Sequence, residues 1–206
     1  MMRKGAETRE RLLVIAEAAI LAKGFGATSI EEVISEAEIT KSGFFYHFKD
    51  KTELARALVH RYLEQDEIVL DELFSRAREL NDDPLHAFLI GLKLFSEMMA
   101  DLPEGHPGCL VATICYQERL FDRDIHDLTR SGALAWRRRF LEVLTEISEI
   151  YPPNDDVELV ELADLVSTIV EGGIIMSKAL KEPEKLATQI MLLRSYIKLL
   201  FSPRTG

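Results

Sequence analysis

A chain of 206 residues that is 47% hydrophobic and 29% charged holds enough apolar material for one large core or two modest ones, which excludes disorder as the default. No run approaches ~18 uninterrupted apolar residues, and the start MMRKGAETRERLL is charged throughout, so neither a membrane span nor a secretion leader is predicted and the expected compartment is the cytoplasm. The net charge of -10 argues against indiscriminate nucleic-acid binding, yet residues 1–64 balance ten Lys and Arg against ten Asp and Glu, so the whole acidic excess lies beyond them.

Strand signals are nearly absent and helix periodicity recurs from end to end, which predicts an all-α chain. The first helix is expected from about Ala6 to Lys23, with Leu12, Ile15, Ala16, Ala19 and Ile20 on one face and Gly24 as its stop. Thr28 opens the second, with Glu31 completing a capping box, and Ile30, Val33, Ile34 and Ala37 form its apolar side. A third, of barely two turns, starts at Ile39 and Thr40 and ends near His47. Asp50 and Glu53 cap a fourth that continues to about Leu80. Helices then follow over about 84–101, 109–120 and 124–150, the last ended by Tyr151-Pro152-Pro153-Asn154, and over about 156–180 and 183–201. The natural division falls near Arg61 inside the fourth helix, giving residues 1–60 and 61–206 as two parts with no flexible linker.

The segment ITKSGFFYHFKDKTEL crowds five ring side chains between three lysines. The second and third helices, joined by Glu36 to Ile39, have the spacing of a helix-turn-helix, whose second helix enters the major groove. Phe44 and Phe48 lie four apart and are expected inward, which leaves Phe45, Tyr46 and His47 outside. Such rings suit DNA, where they touch a thymine methyl or bond phosphate. Gly43 lets the backbone approach a groove wall, and Lys41 and Ser42 project from the first turn. A small helical hairpin with a solvated basic edge is the other reading of the same periodicity.

The stretch TSIEEVISEAEITKSGFFYHFKDKTEL, preceded by a helix ending in KGFGA, resembles the amino-terminal DNA-binding domain of the TetR family of transcriptional repressors. The resemblance runs from about Arg9 to Tyr62 and rests on the Lys-Gly-Phe stop, the Thr before the second helix, the Tyr-His-Phe run and the Lys-x-Glu-Leu start of the fourth helix, all in order. Beyond it the likeness is one of length and helix pattern only. It implies that Thr28 holds a phosphate, that Lys41, Ser42, Gly43 and Phe45 face base edges, and that Tyr46, His47 and Lys51 grip the backbone. Lys41 is the one long polar side chain in the reading turn, so DNA shape and water are expected to carry much of the specificity. The resemblance also implies a homodimer whose carboxyl-terminal domain binds a small molecule and releases palindromic operator DNA, most often as a repressor.

The residues of the second half point the same way. The helix with Leu165, Val166, Ile169, Val170, Gly172, Gly173, Ile174, Ile175 and Met176 is apolar nearly all round, and the last helix adds a stripe of Ile190, Leu193, Ile197 and Leu200. Helices of this kind need partners on two sides, so Ile169, Gly172, Gly173, Met176 and that stripe are candidates for a dimer interface, the other reading being a buried central helix of a monomer. An effector pocket is expected among Phe88, Leu92, Phe95, Met99, Cys109, Ile114, Trp136, Phe140 and Ile175, with Tyr116, Gln117 or Glu171 as polar anchors.

Cys109 has two readings. At an expected helix start beside His106 it is placed to be a thiolate sensor of electrophiles or oxidants, whereas burial among Leu110, Val111 and Ile114 leaves it inert core. An enzyme would have to rest on Cys109 or Cys115 with His106 or His126, without a nucleophile motif, phosphate loop or orienting group, so no catalytic residue is assigned. His106 and Cys109 make two potential ligands, which is not a metal site, and no cofactor is predicted. A helical scaffold would leave the exposed Phe45, Tyr46 and His47 unexplained.

Overall fold

A computed structural model describes residues 2–202, with side chains from residue 5 onward. Among them the chain forms nine α-helices and no strand. The order is α1 (Met2–Lys23), α2 (Ile30–Glu36), α3 (Lys41–His47), α4 (Lys51–Leu80), α5 (Pro84–Ala100), α6 (Leu110–Tyr116), a 3-10 turn (Glu118–Leu120), α7 (Arg123–Ile150), α8 (Leu159–Leu180) and α9 (Lys185–Phe201). The described residues divide into two compact units, one of residues up to Gln65 with Pro107–Gly132, the other of Asp66–His106 with the residues from Ala133 onward. Helices α4 and α7 supply residues to both.

The first unit is built around the small helices. Leu12, Leu13, Ala16 and Ile20 of α1, Val33 and Ala37, Phe44 and Phe48, and Leu54, Ala55, Leu58 and Val59 of α4 form one core. Leu110, Ile114 and Ile125 belong to that same core. Leu13, absent from the expected α1 face, is only 1% exposed and belongs to the same core, to which α4 and α6 also contribute. Gly24 ends α1 at φ +87° with its amide donating to Ile20 at 2.8 Å, a left-handed position that suits glycine. A Cβ at Gly24 would lie 2.5 Å from Nε2 of Gln117, the far end of a flexible side chain that would have to shift. The Gln117 Oε1 accepts from the Gly26 amide at 3.3 Å, and Phe25 packs on Phe121 with ring centres 4.5 Å apart. Residue 117 has left helical geometry, at φ -120° and ψ 32°, which is why α6 stops short of the expected length. Arg61 of α4 donates to Glu10 at 2.6 Å and Glu17 at 2.5 Å, tying α4 to α1.

The second unit packs α5, α8 and α9 with the later parts of α4 and α7. Phe74, Phe88, Phe140 and Trp136 make a continuous ring cluster, with centres 5.6–6.2 Å apart. Ser96 of α5 donates to the Ala187 carbonyl at 3.0 Å, and Ser177 donates to Gly173 at 2.9 Å while accepting from the Leu186 amide at 3.1 Å. These bonds satisfy hydroxyls that would be costly to bury alone. Helix α8 begins at Leu159, later than expected, because Asn154 is committed to α9: its amide donates to Leu200 at 2.7 Å and its Nδ2 to Leu199 and Ser202 at 2.9 and 2.6 Å.

Candidate nucleic-acid interface

Local chemistry fixes where α3 stands. The capping box expected from Thr28 and Glu31 is displaced by one residue: Ser29 is the N-cap of α2, its hydroxyl accepting from Glu32 at 3.1 Å. The reason is that Thr28 is 2% exposed and donates its own hydroxyl back to Gly24 at 3.0 Å, closing the end of α1. The turn between α2 and α3 passes through Glu38 at φ +52°, with the Ile39 amide donating to Ile34 at 3.2 Å. Thr40 then caps α3 by accepting from Gly43 at 3.1 Å, and its hydroxyl lies 3.0 Å from that of Ser42. A Cβ on Gly43 would sit 3.3 Å from the Thr40 hydroxyl, so this glycine also serves the tightness of the cap.

Helix α3 presents two opposed characters. Phe44 and Phe48 are 0% and 1% exposed, whereas Phe45 is 44% and Tyr46 82% exposed. Lys41 and Ser42 are exposed on the first turn. The Lys41 ammonium rests 3.4 Å from Glu31, and both side chains are well exposed, so solvent screening leaves that pair weak. His47 is half-buried with its ring 4.9 Å from that of Tyr46, and burial followed by the Arg9 charge holds its imidazole below the ordinary pKa.

Lys51 is turned inward. It donates to the Phe25 carbonyl at 2.5 Å and sits 4.2 Å over the Phe25 ring, and burial lowers its pKa. Of the eight DNA-contact candidates, Lys41, Ser42, Phe45 and Tyr46 thus share one exposed surface with Gly43 at its base and His47 at its edge. The side chains of Thr28 and Lys51 are engaged within the unit. Two further residues belong to this surface and escaped the sequence reading. Ser29 is the exposed hydroxyl at the start of α2, and Arg9 lies 5.1 Å over the Phe48 ring beside His47. A one-residue shift in the cap hid the first; nothing local in the sequence points to the second.

The pocket candidates separate between the units. Phe88, Leu92, Phe95, Met99 and Phe140 are core residues of the second unit, and Trp136 there donates its indole N–H to Asp66 at 2.6 Å. Burial raises the Asp66 pKa, against the indole hydrogen bond that lowers it. Ile114 belongs to the core of the first unit, together with half-buried Cys109, whose sulfur caps α6 by accepting from Ala112 at 3.4 Å. In that unit Tyr116 is 78% exposed and Gln117 is held on Gly26. In the second unit Ile175 is 43% exposed and Glu171 half-buried. Among the described residues no group of three or more His, Cys, Asp or Glu is placed to hold a metal.

The dimer candidates also divide. Ile190, Leu193, Ile197 and Leu200 are 0–3% exposed, and Gly173 lies against Leu186, so all five are used by the chain's own second unit. The stripe of α9 that the sequence offers to a partner is the one that meets α5 and α8. The apolar surface left over is formed by Met176 (45% exposed), Ile175, Leu192, Tyr196 and Leu199, with open space above Gly172 and Ile169 half-buried.

Comparison with known proteins accords with this geometry. Residues 12–58 match the model of the bacterial regulatory proteins of the tetR family. The transcriptional regulator AcuR of Cereibacter sphaeroides is 24% identical over 167 residues, covering 80% of this chain and 73% of AcuR. The repressor BepR of Brucella suis is 31% identical over 98 residues, which is 45% of each chain. In fold, a TetR family regulator from Agrobacterium tumefaciens superposes with a TM-score of 0.78 at 17% identity, covering 96% of this chain and all of that one. A TetR regulator from Chloroflexus aurantiacus gives 0.78 at 22% identity, with 96% and 98% covered. Residues 12–58 thus carry the amino-terminal motif of the tetR family of bacterial regulatory proteins over a solvent-facing α3, and along its length the chain shares the all-α fold of TetR family regulators.

Proposed function

We propose that the protein is a homodimeric, cytoplasmic repressor that binds a palindromic operator and is released from it by a small apolar effector. The observation that carries this reading is the division of α3, with Phe44 and Phe48 locked in the core while Lys41, Ser42, Phe45 and Tyr46 stand free above it. Residues 1–60 are the DNA-binding part and 61–206 the effector-binding and dimerising part. The stretch 107–132, which shares the core of the DNA-binding helices, is the element through which an effector acts on them.

Lys41 and Ser42 read base edges with Gly43 and Phe45, while Tyr46 and His47 hold the backbone with Ser29 at the start of α2. The effector binds in the second unit among Phe88, Leu92, Phe95, Met99 and Phe140, with Trp136 as its reporter. The dimer forms through the exposed faces of α8 and α9 around Gly172 and Met176. A gel shift with DNA upstream of the protein's own gene tests the core of the proposal: a single retarded species that Lys41→Ala weakens is expected, and no retention at low salt refutes it. Gly172→Glu should turn the dimer into a monomer in sedimentation.

A second reading is favoured by the Cys109 sulfur accepting the Ala112 amide, a contact that stabilises a thiolate. In it an electrophile modifies Cys109 and frees the DNA. Cys109→Ser decides: release by every effective compound survives in the first reading, and release by reactive compounds alone disappears in the second.

A further inference from the structure

Within the second unit, α5 and α9 leave between them a groove of about 300 Å³ that the effector reading does not use. Its apolar lining comes from Leu85, Leu89 and Ile90 of α5, and its polar lining includes Arg194 and Lys198 of α9 with His86. No Asp or Glu lines it, in a protein whose net charge is -10.

Arg194 distinguishes this groove from the rest of the surface. The other half-buried arginines of the same unit, Arg78, Arg137 and Arg139, each pair with a carboxylate, on Glu146, Asp164 and Asp71. Arg194 is half-buried and forms no ion pair among the described residues. Its one hydrogen bond there is donated by Nε to the Leu89 carbonyl at 2.9 Å, which fixes the guanidinium at the groove and leaves both terminal nitrogens unused. Lys198, one helical turn on, is exposed and likewise unpaired among the described residues. The nearest carboxylate in the sequence of these elements, Asp83, is already engaged. It accepts from the His86 amide at 2.9 Å, from His86 Nδ1 at 2.7 Å and from the Tyr151 hydroxyl at 2.6 Å, so its oxygens are taken by neighbouring groups and form no ion pair with Arg194 or Lys198.

A guanidinium held by its Nε with free terminal N–H groups matches a carboxylate geometrically, and an adjacent apolar floor rewards a hydrocarbon tail. We propose that the groove between α5 and α9 is a second ligand site that binds a small amphipathic carboxylate, its head on Arg194 and Lys198 and its tail on Leu85, Leu89 and Ile90. This site is separate from the aromatic effector site.

Calorimetric titration of the full-length protein with sodium decanoate, decan-1-ol and decyltrimethylammonium, all below their aggregation concentrations, tests it. Decanoate is expected to bind at least tenfold more tightly than either the alcohol or the cation. Arg194→Gln and, because its side chain is exposed and its loss is harmless to the core, Lys198→Glu should each weaken decanoate at least fivefold at an unchanged melting temperature. Arg194→Lys, which keeps the charge and loses the fork, should weaken decanoate less than Arg194→Gln does. Equal binding of decanoate and decanol, no binding of decanoate, or decanoate affinity unchanged in both Arg194→Gln and Lys198→Glu overturns the assignment.

Discussion

The two units treat aromatic side chains in opposite ways. In the first, five ring residues in succession are sorted by the helix into a buried pair and an exposed set, and the exposed set has no structural reason to be there. In the second, Phe74, Phe88, Phe140 and Trp136 form one continuous cluster in which packing accounts for every ring. Function is visible where a side chain departs from what the core needs. It is hidden where a ligand and a core ask for the same residue types.

The contrast breaks most sharply at α3. Phe44→Ala should cost about 3–5 kcal/mol, the range for emptying a fully buried aromatic site, and should lose DNA binding together with fold in a denaturant titration. Its neighbour Tyr46, 82% exposed, should change stability by less than about 0.5 kcal/mol on replacement by alanine, while DNA affinity falls. A large stability loss in Tyr46→Ala would erase the distinction. Next in size is Arg61→Ala, which strands Glu17 at a site 20% exposed and should cost about 2 kcal/mol. Burial raises the Glu17 pKa, with Arg61 opposing, so Glu17→Gln in the same background should recover part of that loss in thermal unfolding.

A smaller effect, of about 1 kcal/mol or roughly fivefold, is expected for Lys41→Ala on operator affinity, with relaxed preference among operator variants in a competition gel shift. The last belongs to the second unit and is read in acid. Burial alone would raise the Asp83 pKa, but hydrogen bonds from Tyr151 and His86 hold it at about 2, well below the ordinary carboxylate range. A depressed acid stabilises the fold above its unfolded pKa, so this contribution should be intact above about pH 4 and vanish as pH falls through about 2. Asp83→Asn should flatten that stretch of an acid-unfolding curve.

Most of the architecture was legible because helix signals are local. Gly24, Pro84 and the Tyr151-Pro152-Pro153-Asn154 run mark ends that depend on a few neighbouring residues. Misplaced boundaries have long-range causes: α6 ends early because Gln117 reaches back to Gly26, 91 residues away, and α8 starts late because Asn154 serves α9. The opposed faces of α3 were legible from the four-residue spacing of Phe44 and Phe48. The inward turn of Thr28 and Lys51 was not, because each answers to a backbone carbonyl, on Gly24 and Phe25, that no periodicity reports. The α9 stripe was read as an interface because an apolar stripe looks the same whether its partner is α5 of the same chain or a second copy.

Position 24 carries two separate constraints. A side chain there collides with Gln117, and the backbone at φ +87° disfavours any residue with a Cβ. Shortening Gln117 removes the collision and leaves the conformational penalty of about 1 kcal/mol untouched. Epistasis between the two positions is therefore one-sided: a change at 117 softens a change at 24 without making it neutral.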